Sequence, residues 1–262
     1  MNEQQKTGLN LLKQHEARAA AKPAKKKETL GETLMTLVYA VLIAVGIRTI
    51  AFEPFNIPSA SMVPTLLIGD YLFISKFSYG YSRYSMPLGP NLFEGRILGD
   101  MPERGDVVVF KLPSDTSVDY IKRVVGLPGD RIQVKGGRLH INGVAVERER
   151  IEDFVEPFQP PRPQYVETLP GGRRHRIIEV FGDNGPADNT PEYTVPADHF
   201  FMMGDNRDNS ADSRADVGFV PYQNLLGPAQ FTWLSLQEDT RFWELWEWPW
   251  ALRPSRMFRG IQ

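Results

Sequence analysis

Arg104-Gly105-Asp106-Val107-Val108-Val109-Phe110-Lys111 is a Gly-Asp turn running into four consecutive apolar residues. A run that short, with branched and aromatic side chains and no polar alternation, reads as a β-strand covered on both faces. On its C-terminal side, past Pro113 and a polar turn, Tyr120-Ile121-Lys122-Arg123-Val124-Val125 is a second strand, closed by Gly126-Leu127-Pro128-Gly129-Asp130. On its N-terminal side, Gly69-Asp70 opens a third strand ending in Leu72-Phe73-Ile74-Ser75-Lys76. Residues 77–104 have no sustained period and read as an excursion loop. Further on, Ile132–Ile141 alternates around Gly136-Gly137 as a hairpin, and Asn142-Gly143 adds a second turn. Between Ile151 and Pro196 the prolines and short apolar segments, among them Arg176–Phe181, predict a loosely structured β insertion. Phe200-Phe201-Met202-Met203 returns to a core strand. No long amphipathic pattern follows residue 52, so the expected fold class is all-β: an antiparallel sheet domain with an inserted β-rich subdomain at 133–199.

Upstream, Thr33 to Phe52 is an apolar run of about twenty residues broken only by Arg48, long enough to cross a bilayer as a helix. Thr33 to Ile47 alone is also short enough for a signal peptide's hydrophobic region or a buried helix. Residues 1–32 carry most of the N-terminal lysines and read as a disordered basic tail. By the positive-inside rule that tail lies in the cytoplasm, giving a single-pass anchor at 33–52 and an exported domain at 53–262. The net charge of -2 gives no whole-chain attraction to nucleic acid, and the absence of cysteine excludes disulfides, thiolate metal sites and a Cys nucleophile.

Just beyond the span, Pro58-Ser59-Ala60-Ser61-Met62-Val63-Pro64-Thr65-Leu66 places two hydroxyls in an irregular loop framed by prolines. Such a loop can aim a nucleophile. Its base is not obvious, since His15, His140, His175 and His199 occupy no triad or metal spacing. A Ser-Lys pair is the known substitute. With an ordinary pKa near 10.4, only about one lysine in a thousand is neutral at pH 7.5, so the base has to be desolvated. Lys122, in mid-strand among Tyr120, Ile121, Val124 and Val125, is the best placed, although strand alternation by itself equally allows an outward lysine. Lys76 and Lys111 sit at strand ends. In Gly204–Arg214 the spacing of Asp205, Asp208 and Asp212 lacks the central Gly and closing Glu of a calcium loop, and reads as a loop held by ion pairs.

Four segments in this order, PSASMVPTL (58–66), GDYLFISK (69–76), RGDVVVFK (104–111) with DYIKRVVGLPGD (119–130), and GDNRDNSADSR (204–214), resemble the type I signal peptidase (leader peptidase) family of bacterial membrane-anchored serine proteases. The resemblance covers roughly residues 33–133 and 198–236. It implies Ser61 as nucleophile and Lys122 as general base, with Ser59 supplying an oxyanion-hole hydroxyl beside the Ser61 N–H. Ser210 would orient the Lys122 amine, and the pairs Asp205–Arg123 and Asp212–Arg214 would fix the loop behind it. Phe55, Ile57, Met62, Leu66, Tyr120 and Ile121 would line pockets for small residues at positions -1 and -3 of a signal peptide. The implied partners are secretory preproteins and the bilayer of a bacterial cytoplasmic membrane, with no metal, cofactor or nucleic acid. Ala60 stands where many members have Gly, and an insertion this large usually accompanies two membrane spans rather than one. The competing readings are a self-cleaving Ser-Lys repressor and a non-catalytic, membrane-tethered β module that binds exported chains. Finally, Trp243, Trp246, Trp248 and Trp250 beside Phe242, followed by Arg253, Arg256 and Arg259, suit a headgroup interface. Alternatively some of those rings cap the β core.

Overall fold

The computed structural model describes residues 29–86, 93, 95–157 and 159–261. The basic tail read at 1–32 lies outside the described residues except for its last four. The chain divides into two units, Met1–Val45 and Gly46–Gln262.

In the first unit, helix α1 begins; it runs Leu30–Ile50. Its start is a capping box in which Glu32 Oε2 accepts from the Thr29 N–H at 2.9 Å and Thr29 Oγ1 accepts from the Glu32 N–H at 3.3 Å. None of its residues is buried and its mean hydropathy reaches 2.0. A 21-residue helix rises about 31 Å, the thickness of a hydrocarbon core, and one that is apolar all round has no polar face to turn towards water. The helix starts before and stops short of the expected span of 33–52: Phe52 already heads a strand, and Arg48 in the helix's last turn pairs with Glu53 of that strand.

In the second unit the strands are β1 (Phe52–Asn56), β2 (Asp70–Ser75), β3 (Val107–Leu112), β4 (Asp115–Gly126), β5 (Arg131–Lys135), β6 (Arg138–Ile141), β7 (Val144–Ala145), β8 (Glu147–Phe154), β9 (Arg162–Thr168), β10 (Arg174–Ile178), β11 (Tyr193–Thr194), β12 (His199–Met203), β13 (Val220–Pro221), β14 (Leu225–Ser235) and β15 (Arg259–Gly260). The main sheet has the order β1-β2-β14-β3-β4-β12-β13, with β15 also on β14, and every pairing is antiparallel. β14 serves β3 with its first half and β2 with its second. The register shifts around Gly227 and Pro228, where proline's missing donor is tolerated and Gly227 lies so close to Ser75 O that a Cβ would collide with it. The all-apolar β3 is explained by two cores: Val107 and Val109 face Ile57, Met62, Leu66, Leu72 and Ile74, while Val108 and Phe110 face Val124, Phe200, Met202 and Leu225.

The chain leaves the main sheet after Gly126 and returns at His199. Between them lie two small antiparallel sheets, β11-β5-β6-β7 and β10-β9-β8. The Gly136-Gly137 and Asn142-Gly143 turns fall where the sequence places them, all four residues at positive φ. The first half of the segment expected to be loose is a three-stranded sheet, in which β9 pairs with β8, across a register shift between Ile151 and Phe154, and with β10, whereas residues 179–196 hold only a single 3-10 turn and the two-residue β11. Leu169, Val195 and the hairpin residues share a core with Phe201 and Met203 of β12, which ties the insertion to the strand leading into the 204–214 loop.

Near the C-terminus the aromatic rings divide into two groups. Trp233 and Trp248 pack on the small core of Leu234, Leu236 and Ala251, the last at the end of the short helix α2 (Trp248–Ala251). Trp243, Trp246 and Trp250 are 63%, 67% and 78% exposed.

Candidate active site

Ser61 sits in a single 3-10 turn, Ala60–Met62, entered from Ser59 in extended conformation. The first hydrogen bond of the turn joins the Val63 N–H to Ala60 O at 3.2 Å, so the N–H groups of Ala60, Ser61 and Met62 precede it and have no partner inside the turn. The Ser59 and Ser61 hydroxyl oxygens are 3.4 Å apart. Lys122 reaches the turn from β4: its Nζ donates to Ser61 Oγ at 2.7 Å and to Ile121 O at 2.9 Å, and stands 5.2 Å from the centre of the Tyr120 ring. Ser61 is 7% and Lys122 4% exposed. Burial pushes the Lys122 amine down to about 8, against the smaller opposing pull of Asp212 and Asp205. The 2.7 Å separation serves equally for donation from the Ser61 hydroxyl to a neutral amine.

Strand alternation turns Arg123 the other way, into the protein. Its Nε and Nη2 hold Asp205 at 2.8 and 2.6 Å, and its Nη1 donates to Gly105 O at 2.7 Å. Burial works to raise the Asp205 carboxyl, but the Arg123 guanidinium overrides it and holds the group below the usual carboxylate range. The second expected pair also forms, with Asp212 accepting from Arg214 Nε and Nη2, both at 2.9 Å, and from the Gly204 N–H at 3.0 Å.

Two expectations fail. Ser210 makes no hydrogen bond to Lys122; its buried hydroxyl has no partner among the described residues and lies over Gly204, where a Cβ would collide with both it and Ser61 O. Met62 and Leu66 do not line the groove beside the serine: both are wholly buried in the core beneath it, packed with Ile57, Leu72, Val107 and Val109. Phe55, Ile57, Tyr120 and Ile121 do line that groove, with Pro54, Asn56, Pro58, Ser59, Val109, Val118, Asp119 and Lys122, around a volume of about 500 Å³.

Sequence reasoning missed Asn206, whose N–H and Nδ2 donate to the carbonyls of Ser61 (3.1 Å) and Ala60 (3.0 Å) and so pin the nucleophile's turn. Asparagine next to the buried Asp205 was the available signal. It also missed the buried Arg207–Glu167 pair, which ties the loop to β9, and the place of His175, which is buried in β10 rather than in a loop. Among the described residues, the carboxylates grouped closely enough to suggest a metal set are Glu179, Asp188 and Asp208. Burial pushes Glu179 up to about 8, so at neutral pH it holds a proton, and the Val180, Phe181 and Gly185 N–H groups serve the other two.

Residues 30–234 match the family model described as signal peptidase, peptidase S26. The chain belongs to that family. Signal peptidase I of Rickettsia typhi is 38% identical over 255 residues, covering 90% of this chain and 96% of the relative. That of Rickettsia prowazekii is 38% identical over 253 residues, covering 89% and 95%. A crystal structure of a signal peptidase I from Enterococcus faecalis matches 49% of this chain and 97% of its own at 26% identity, with a TM-score of 0.30. Membership of this family does not favour the non-catalytic tethered module, and α1 is long and apolar enough to cross a membrane.

Proposed function

We propose that this signal peptidase cleaves signal peptides from exported preproteins with Ser61 as nucleophile and Lys122 as general base. The observation that carries the assignment is the buried 2.7 Å contact between Ser61 Oγ and an amine whose pKa is pushed down to about 8. At pH 7 about a tenth of such amines are neutral, against fewer than one in a thousand for an ordinary lysine.

The groove supplies the substrate's place. β1 pairs only with β2, and residues 115–121 of β4 pair only with β3, so two strand edges without a partner among the described residues face one groove. An extended segment of the preprotein adds there as a strand, and the shallow space beside Phe55, Ile57, Tyr120 and Ile121 favours small side chains at -1 and -3. Neutral Lys122 takes the Ser61 proton as Oγ attacks the scissile carbonyl carbon. The oxyanion accepts from the Ser61 N–H and the Ser59 hydroxyl. The intermediate collapses, the peptide C–N bond breaks, and protonated Lys122 gives its proton to the leaving amine. Lys122 then deprotonates the water that hydrolyses the Ser61 ester, which returns the enzyme. Purified full-length protein incubated with one secretory precursor, wild type beside Ser61→Ala, tests the assignment: processing by Ser61→Ala at the wild-type rate would overturn it.

Since only the neutral amine works, kcat/KM is expected to rise about tenfold per pH unit up to about pH 8 and to level off above it. A limb governed by a group near pH 6 would assign the base to a histidine instead.

The anchor is set with the basic tail in the cytoplasm and residues 53–262 on the outer side of a bacterial cytoplasmic membrane, by the lysines that precede the span. The exposed Trp243, Trp246 and Trp250, with Leu245 and Phe258, form a second lipid contact. Arg253 and Arg256 do not share in it, because both are drawn to the buried Asp70. A fragment lacking residues 1–52 is expected to co-sediment with anionic vesicles and shift its tryptophan emission to the blue. Unchanged emission without co-sedimentation would leave α1 as the sole membrane contact.

A further inference from the structure

A cleft of about 500 Å³ separate from the substrate groove is lined by Pro64, Thr65, Phe154, Arg174, His175, Arg176, Thr232, Arg256, Arg259, Gly260 and Ile261. Four arginines and no carboxylate face it. Their states differ in a way that matters. Arg256 is committed to Asp70, and Arg174 lies 3.2 Å from Glu149 on the surface. Arg176 on β10 and Arg259 on β15 have no side-chain hydrogen bond or ion pair among the described residues, although each guanidinium carries five donors. Arg123, Arg148, Arg162, Arg207, Arg214 and Arg253 all hold acids, whereas Arg138 and Arg241, which do not line the cleft, also have no acid partner among the described residues, so what distinguishes Arg176 and Arg259 is that they converge on one cleft.

His175, between the arginines of β10, turns the other way: it is buried, with Nε2 3.6 Å from Glu167 Oε2 and 4.0 Å from Asp205 Oδ1 in the interior, so the donors offered to an anion in the cleft are those of the arginines on the exposed face of the strand.

We propose that this cleft is a phosphate-binding site that seats the headgroup phosphate of an anionic phospholipid, gripped by Arg176 and Arg259. Guanidinium forks match phosphate oxygens in pairs, and such charge-assisted contacts are the strong ones. The choice of a lipid as the source rests on the membrane anchor, since a bilayer is the densest supply of phosphate that an anchored domain meets; the phosphate chemistry of the site rests only on the cleft itself. Free phosphate offers the same oxygens, and the two sources are separable.

The test uses the full-length protein in neutral detergent, titrated by calorimetry with soluble short-chain phosphatidylglycerol, short-chain phosphatidylcholine, and inorganic phosphate. Expected are saturable binding of phosphatidylglycerol, at least about tenfold weaker binding in Arg176→Gln/Arg259→Gln, and weakening by salt. Both arginines are exposed and unpaired, so the variant should fold, which its unfolding midpoint would verify. Its cleavage of a soluble precursor in detergent should match the wild type, so loss of lipid binding is distinguishable from failure of the Ser-Lys assignment. Binding of inorganic phosphate with none of phosphatidylglycerol would overturn the lipid source. Equal binding of phosphatidylglycerol by wild type and variant, or no binding of any of the three, would overturn the site.

Discussion

Lys122→Met is expected to be inactive and, at neutral pH, more stable than the wild type. Removing the base from a nucleophile-base unit costs on the order of 10⁴-fold or more in kcat, because the other side-chain partner of Ser61 Oγ among the described residues is the Ser59 hydroxyl, which is too weak a base to replace the amine. The gain in stability follows from the same burial. The folded protein lowers the Lys122 pKa from 10.5 to about 8, so it disfavours the charged form. The sign is fixed by linkage: below pH 8 the unfolded chain binds a proton that the folded chain holds weakly, and this costs about 3 kcal/mol of stability. Between pH 8 and about 10.5 the cost fades, and above that range it is gone. Methionine carries no such cost, but it forfeits the hydrogen bonds to Ser61 Oγ and Ile121 O, worth about 1 kcal/mol each. A net gain of about 1 kcal/mol at pH 7 should therefore shrink and change sign near pH 9 in paired unfolding curves. A variant less stable at pH 7, with a pH-independent difference, would mean that Lys122 is not desolvated as the structure has it.

How far the sequence carried this far depends on the range of the contact in question. β3 was legible because four apolar residues in a row leave a strand no exposed face, and the Gly136-Gly137 hairpin because its turn chemistry is local. Lys122 was only half legible. Alternation places it opposite Arg123, but nothing in a strand's own pattern says which of the two faces water, and the structure buries both. Met62 and Leu66 are placed in the pocket by the resemblance alone, and nothing in the local pattern shows that both side chains turn into the core instead. Arg207–Glu167 and the Asn206 tether join segments 40 and more residues apart, and no local pattern encodes such pairs. The role assigned to Ser210 is the instructive case: the residue is at the site, buried beside Gly204, yet its hydroxyl is not where a bond to the amine needs it.

Arg123→Met is expected to be among the most destabilising single changes in the domain. Arg123 is wholly buried, and its guanidinium is the main charge opposing the burial of Asp205. Without it the carboxylate keeps only the Thr65 hydroxyl at 2.5 Å as a close side-chain donor, and breaking a buried pair from one side costs about 3–5 kcal/mol. The pH dependence distinguishes this cause from simple loss of packing. In the wild type the lowered Asp205 pKa contributes stability above the ordinary carboxylate pKa that is lost as pH falls through the folded value. In Arg123→Met burial dominates and drives the carboxyl up, so the deficit is largest at neutral pH and narrows towards pH 4, where the acid is neutral. Adding Asp205→Asn removes the stranded charge while keeping an acceptor for Thr65, and the double variant should recover about 2 kcal/mol relative to Arg123→Met. Cleavage should fall in both, since Asp205 immediately precedes the Asn206 that holds the Ser61 and Ala60 carbonyls. A double variant no more stable than the single one, or a deficit that persists unchanged to pH 4, would show that Arg123 acts through its packed side chain and not through its charge.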